Sequence, residues 1–293
     1  MQSNGTKAAA RRAGRWGTVI FAGFLAAWLA LAGASPVTAK TKSSSKSDEE
    51  QTYKGGEDWK WSFDIAAGKS IEIKGINGGI SARRSGDRKV EVRAWKHGKR
   101  SDPSEVKIEF FEHDGGVTVC AVYPSPDGRP NTCEAGDNGH SHTRNNDVVV
   151  EWEVLVPEGV GFIGRTVNGG IEATTLQGPV EAHTVNGGIE VSTTGQAEAT
   201  TVNGSIKVRM GVPKGKEDLE YTTVNGSITV ECAGDLDADL RCSTVNGTIE
   251  TDYPVMVTGT IGRRKLQGTV GHGGRDLRME TVNGSIHLLK STI

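Results

Sequence analysis

Few side chains in this 293-residue chain combine a reactive type with a useful spacing, so each group bears weighing. Cys120, Cys133, Cys232 and Cys242 form an even set with no C-x-x-C pair of the kind a zinc site uses. In an oxidising compartment such a set reads as disulfides, with three connectivities open. Turn-rich or short polar excursions separate Cys120 from Cys133 and Cys232 from Cys242, so local bridges 120–133 and 232–242 are expected. His140-Ser-His142 lies beside Asp137 in a polar stretch, but no third ligand stands at a supporting spacing, and a solvated loop is expected. Asp235, Asp237 and Asp239 alternate with Leu236, Ala238 and Leu240. The loop glycine and closing glutamate of an EF-hand are not in place, so a strand with outward carboxylates is expected. G-x-S-x-G, H-E-x-x-H, phosphate-loop and dinucleotide fingerprints are all missing from the sequence. No catalytic residue, cofactor or metal ligand is assigned, and a non-enzyme is expected.

The elements that would position these groups come from a repeat. Thr-Val-Asn-Gly occurs six times, with its asparagine at Asn168, Asn186, Asn203, Asn225, Asn246 and Asn283, and Gly-Ile-Asn77-Gly is a weaker first copy. One small residue follows each Asn-Gly, then always isoleucine: Ile80, Ile171, Ile189, Ile206, Ile228, Ile249 and Ile286. Four copies match the glycosylation sequon, but their asparagines belong to the repeat, and a structural role is expected. Successive asparagines lie 18, 17, 22, 21 and 37 residues apart. The last interval reads as two coils with one degenerate copy at Leu266–Val270, and the longer coils as carrying loops such as Met210–Asp218.

Asn-Gly between β-formers suits either hairpins or the stacked strands of a solenoid. Alternation favours the solenoid. Val202, Gly204, Ile206 and Val208 fall on one face and Thr201, Asn203, Ser205 and Lys207 on the other, as in one strand running unbroken through Asn-Gly. Stacking would also align identical residues, letting asparagines hydrogen-bond and isoleucines fill a narrow core. That matches a chain with 40 glycines and 5% aromatics. The expected fold is all-β, a parallel β-solenoid of about 17–22-residue coils over residues 157–293.

Upstream, Lys7, Arg11, Arg12 and Arg15 precede an apolar run from Thr18 to Ala34 and a Val37-Thr38-Ala39 cleavage pattern, so residues 1–39 read as a signal peptide. Residues 40–56 are polar and aperiodic, a disordered linker. Short alternating segments and most of the tryptophans fill 57–156, which reads as a β-rich cap over the first open edge. The terminal Ile286–Leu289 segment shows no cap, so that coil is a candidate self-association edge. The net charge of −2, and −6 after loss of residues 1–39, gives no reason to bind nucleic acid or anionic lipid.

Val-Pro-Glu-Gly followed by repeated Thr-Val-Asn-Gly-x-Ile resembles the bacterial "putative adhesin" domain of unknown function, itself similar to Gly-Ile-Asn head domains. The resemblance covers about residues 57–293 and implies an exported β-solenoid, periplasmic or at the cell surface, with no catalytic residue to carry over. The expected function is non-catalytic adhesion or envelope binding, with a glycan or protein of the envelope as partner. The alternatives are a glycan-acting β-helix enzyme using carboxylates such as Glu172 and Glu190, and a passive scaffold.

Overall fold

The computed structural model describes residues 54–55, 58–213, 215–257 and 262–291. The expected signal peptide and most of the linker lie outside them. Apart from a 3-10 turn at Pro103–Glu105, the regular structure of the described residues is all strand. The first eight strands are β1 (Lys54–Gly55), β2 (Trp59–Phe63), β3 (Ser70–Lys74), β4 (Ile80–Arg84), β5 (Val90–Gly98), β6 (Lys107–His113), β7 (Gly116–Val122) and β8 (Val149–Val156). The next eight are β9 (Gly161–Arg165), β10 (Ile171–Leu176), β11 (Val180–His183), β12 (Ile189–Thr193), β13 (Ala197–Thr200), β14 (Ile206–Met210), β15 (Leu219–Thr222) and β16 (Ile228–Ala233). The last six are β17 (Ala238–Ser243), β18 (Ile249–Thr251), β19 (Val255–Met256), β20 (Lys265–Val270), β21 (Asp276–Glu280) and β22 (Ile286–Ser291).

These strands form two sheets of 11 strands, parallel through the middle and antiparallel at the ends except where β18 closes the first sheet in parallel with β22. Each coil gives one strand to each sheet, and the chain is a parallel β-solenoid. In the first sheet Ile80, Ile171, Ile189, Ile206, Ile228 and Ile286 align in one buried row. The facing sheet contributes Ile71, Phe162, Val180, Ala197, Leu219, Leu277 and Leu240 to the same core. Small residues at many of these positions keep the interior narrow, which accounts for the scarcity of aromatics.

Thr-Val-Asn-Gly is the corner between the sheets, and its four positions are chemically distinct. The threonine points inward and its Oγ1 donates to a glycine carbonyl of the adjacent coil, at 2.8 Å for Thr184 to Gly169 and 2.9 Å for Thr201 to Gly187. The valine turns outward. The asparagine Nδ2 donates to the Oδ1 of its neighbour at 2.7–2.9 Å, rung after rung. At the glycine the coils approach so closely that a Cβ on Gly204 would lie 2.0 Å from the Gly187 carbonyl oxygen. Glycine is needed here for backbone approach rather than for an unusual φ. The alternation expected to run from Val202 to Val208 therefore breaks at the corner: Thr201 is buried and Val202 is half-exposed.

The order of coils departs from chain order at both ends. The asparagine ladder runs 77, 168, 186, 203, 225, 283, 246, so the C-terminal coil sits between the Asn225 and Asn246 coils. At the other end β3 and β4 lie between β7 and β8 on one side and β9 and β10 on the other. The C-terminal coil and the β3–β4 coil are thereby each held from two sides. Two expectations change as a result. Leu266–Val270 is not a degenerate coil, because β20 runs antiparallel to β17 along the sheet edge. Ile286–Leu289 is not an outer edge, because β22 is flanked by β16 and β18.

Candidate binding surfaces

Cys120 and Cys133 are bonded as expected. The segment that follows Cys133 lies against the outer face of the second sheet, where Lys74 donates to the carbonyls of Glu134, Gly136 and Asn138 at 2.8–3.0 Å. Buried Glu72 accepts from the Thr118 hydroxyl, the Gly136 amide and the Arg165 guanidinium. Arg165 also reaches Asp137 at 3.1 Å. Desolvation lowers the Lys74 pKa more than Glu72 raises it. These contacts read as anchoring for that segment.

The expected 232–242 bridge does not form. Cys232 lies in β16 of the first sheet beside Met210, and Cys242 in β17 of the second beside Met279, so they occupy core rows on opposite sheets. Both act as small apolar residues, and burial pushes each thiol up to about 12.

His142 Nδ1 lies 3.0 Å from Asp127, in the polar loop the sequence suggested. Asp127 is held well below the usual carboxylate range, first by the Ser125 hydroxyl and then by His142. Leu236, Ala238 and Leu240 are buried, and the aspartates between them face outward. Asp237 accepts from the His272 amide, and Asp239 from Thr269 and the Gly274 amide, pinning the turn after β20. Among the described residues no group of three His, Cys, Asp or Glu side chains is arranged to hold a metal ion.

Three surfaces remain as candidates. On the first sheet, Glu172, Glu190, Lys207, Thr229, His287 and Glu250 form one outward row. Within this row Lys207 pairs with Glu190 at 3.1 Å, and His287 Nδ1 lies 3.2 Å from Glu250. A shallow depression over Gly79, Gly170, Gly188 and Ser205 adjoins the row.

On the second sheet Glu181 pairs in register with Glu198, and Glu220 follows one strand on. Strand spacing puts such residues about 5 Å apart. Glu198 has its carboxyl pushed up to about 7, first by burial and then by the charges of Glu181, Glu220, Glu217 and Asp218. His183 lies 3.8 Å and Arg165 3.7 Å from Glu181 at one end of this row, and Arg278 follows Glu220 at the other. This row stands on a sheet face and was not anticipated. The signal was present, since Glu181, Glu198 and Glu220 each stand three residues before the threonine of a Thr-Val-Asn-Gly copy.

At the capped end, β2 and β6 bring aromatics together from the two sheets. Trp61 stacks with Trp59 at 6.1 Å and meets Phe110 at 4.6 Å, with Phe63 beneath. Trp61, Phe110 and Phe111 are 41%, 38% and 45% exposed. The sequence placed tryptophans in this region, but not their meeting with β6, which depends on how the two sheets close.

These features define a two-sided parallel β-solenoid with a polar corner ladder and an aromatic end. Residues 166–289 match the family model described as Toastrack DUF4097. No curated protein matches the chain. Among solved structures, the chain is similar to a putative cell adhesion protein from Clostridium sporogenes, at 11% identity over 81% of this chain and 100% of that one, with a TM-score of 0.37. It is also similar to a putative adhesin from Bacteroides fragilis, at 11% identity over 80% and 97%, with a TM-score of 0.32. Likenesses this distant carry no functional weight.

Proposed function

We propose that this is an exported, non-catalytic module that binds a glycan of the bacterial envelope, adhesin-fashion, through the aromatic end of the solenoid. The observation that carries the reading is the exposed Trp61–Phe110 surface on a protein otherwise poor in aromatics. Flat rings pack against the C–H faces of sugars, and contiguous exposed apolar surface marks interaction sites. Export accords with the Cys120–Cys133 disulfide and with the charged, apolar and small-residue order of positions 7–39. The test is a glycan array probed with the full chain and with the Trp61→Ala and Phe110→Ala variants. Binding that both variants lose supports the reading. No bound glycan, or binding unchanged in both variants, overturns it.

A second reading has one observation in its favour. Glu198, with its carboxyl near 7, is poised for acid–base work on an acidic glycan. Release of unsaturated sugar products by the wild type but not by Glu198→Gln would establish that enzyme reading. A protein that degrades none of the glycans it binds would remove it.

A further inference from the structure

The seven asparagine rungs look alike in sequence but differ in what holds them. Each is followed by glycine, the residue that least obstructs attack by a backbone nitrogen on the asparagine side chain. For Asn77, Asn168, Asn186, Asn203, Asn225 and Asn283, two bonds oppose that attack. The glycine N–H donates to the asparagine carbonyl of the next coil at 2.8–3.0 Å. The side-chain Oδ1 accepts from the next asparagine's Nδ2 at 2.7–2.9 Å. Ring closure at any of these rungs must break both bonds.

Asn246 is the last rung, because β18 pairs only with β22. Its Nδ2 donates to Asn283 at 2.8 Å, and its own carbonyl accepts from Gly284. Among the described residues, nothing bonds to its Oδ1 or to the Gly247 N–H. The adjoining Val245 is 52% exposed, against 37–39% for Val167, Val185, Val224 and Val282.

We propose that Asn246 is a deamidation site, open because it ends the ladder, while the six other rungs are protected by their neighbours. The Gly247 nitrogen bonds to Asn246 Cγ, the Cγ–Nδ2 bond breaks, and the amide proton leaves with that nitrogen as ammonia, giving a succinimide. Water then opens the ring to aspartate or isoaspartate. The product replaces the amide that donated to Asn283 with a carboxylate that cannot donate, and isoaspartate adds a methylene to the backbone. The modification therefore loosens the edge coil first.

Asn138-Gly139, in the segment that follows Cys133, supplies an internal reference, since its Oδ1 and Gly139 N–H have no partner among the described residues. The full chain is incubated in mildly alkaline buffer and sampled by peptide mapping with isoaspartate labelling. Asn246 and Asn138 convert, and the other six rungs lag by roughly thirtyfold, the factor that two such hydrogen bonds supply. In denaturant the seven rungs converge to similar rates. The proposal falls if Asn246 stays intact while Asn138 converts, or if the interior rungs keep pace with Asn246. It also falls if Asn246 still outpaces the other rungs in denaturant, because local sequence would then set the rate.

Discussion

The middle of the solenoid and its capped end solve the same problem with different materials. In the middle, stability comes from repetition: a buried isoleucine, an inward threonine and an asparagine rung in each coil, with glycine permitting backbone contact. At the capped end, beyond the Asn77 rung, no repeat exists. A disulfide, the Glu72–Arg165 pair, Lys74 over three carbonyls and a cluster of aromatics hold irregular chain against the last strands. The middle tolerates little change in shape and much in charge; the end is tied by individual bonds.

The largest effect that would sharpen this contrast is steric. Gly226→Ala places a Cβ about 2.0 Å from the Gly204 carbonyl oxygen. Because backbone cannot yield on both sides, the expected loss exceeds about 4 kcal/mol, and the variant is expected not to fold cooperatively in urea. Gly86→Ala, in the cap with nothing within 4 Å of the added carbon, is expected to match the wild type. Equal effects from the two would erase the distinction.

Next in size is the bridge. Replacing Cys120 and Cys133 together by serine is expected to cost about 3 kcal/mol of local stability, for a loop of this length. Hydrogen exchange should rise across residues 123–148 and stay unchanged at the Asn186 to Asn225 coils. Loss of protection throughout would mean that cap and repeats unfold as one.

A smaller effect concerns the acidic row. Glu198 binds its proton more tightly in the folded state than in the unfolded chain, so this group's contribution declines as pH rises from about 4.5 to about 7 and is constant above. Glu198→Gln is expected to flatten that part of the stability profile. Above pH 7 it should stabilise the protein by on the order of 1–2 kcal/mol. Denaturant midpoints measured across this range check the sign, and a destabilised variant at high pH would contradict it.

The rows of the repeat were legible in the sequence because identical residues must meet when coils stack. Ile206 and Asn203 announced both the period and their partners' identity. Two things were hidden by the same regularity. The parity of Val202 was misread, since alternation alone does not distinguish a straight strand from a corner where Thr201 turns inward. The order of coils was hidden too. A Thr-Val-Asn-Gly copy fits equally well on any other copy, so sequence similarity could not say that Asn283 stacks between Asn225 and Asn246. The acidic row was hidden because the repeat's regularity lies in the residues after each Asn-Gly, while Glu181, Glu198 and Glu220 precede it. Cys232 and Cys242 were paired by nearness in sequence, yet the chain between them turns from one sheet to the other.

The insertion of the C-terminal coil is the claim on which the ladder order and the exposure of Asn246 both depend. Cysteine pairs across adjacent parallel strands test it directly, because bridging requires neighbouring Cα atoms within about 7 Å. Thr229 is the register partner of His287, and His287 of Glu250. Under mild oxidation, with bridges located by peptide mapping, Thr229→Cys/His287→Cys is expected to crosslink and Thr229→Cys/Glu250→Cys to remain reduced. A bridge between positions 229 and 250, with none between 229 and 287, would mean that the coils stack in chain order and would contradict the account.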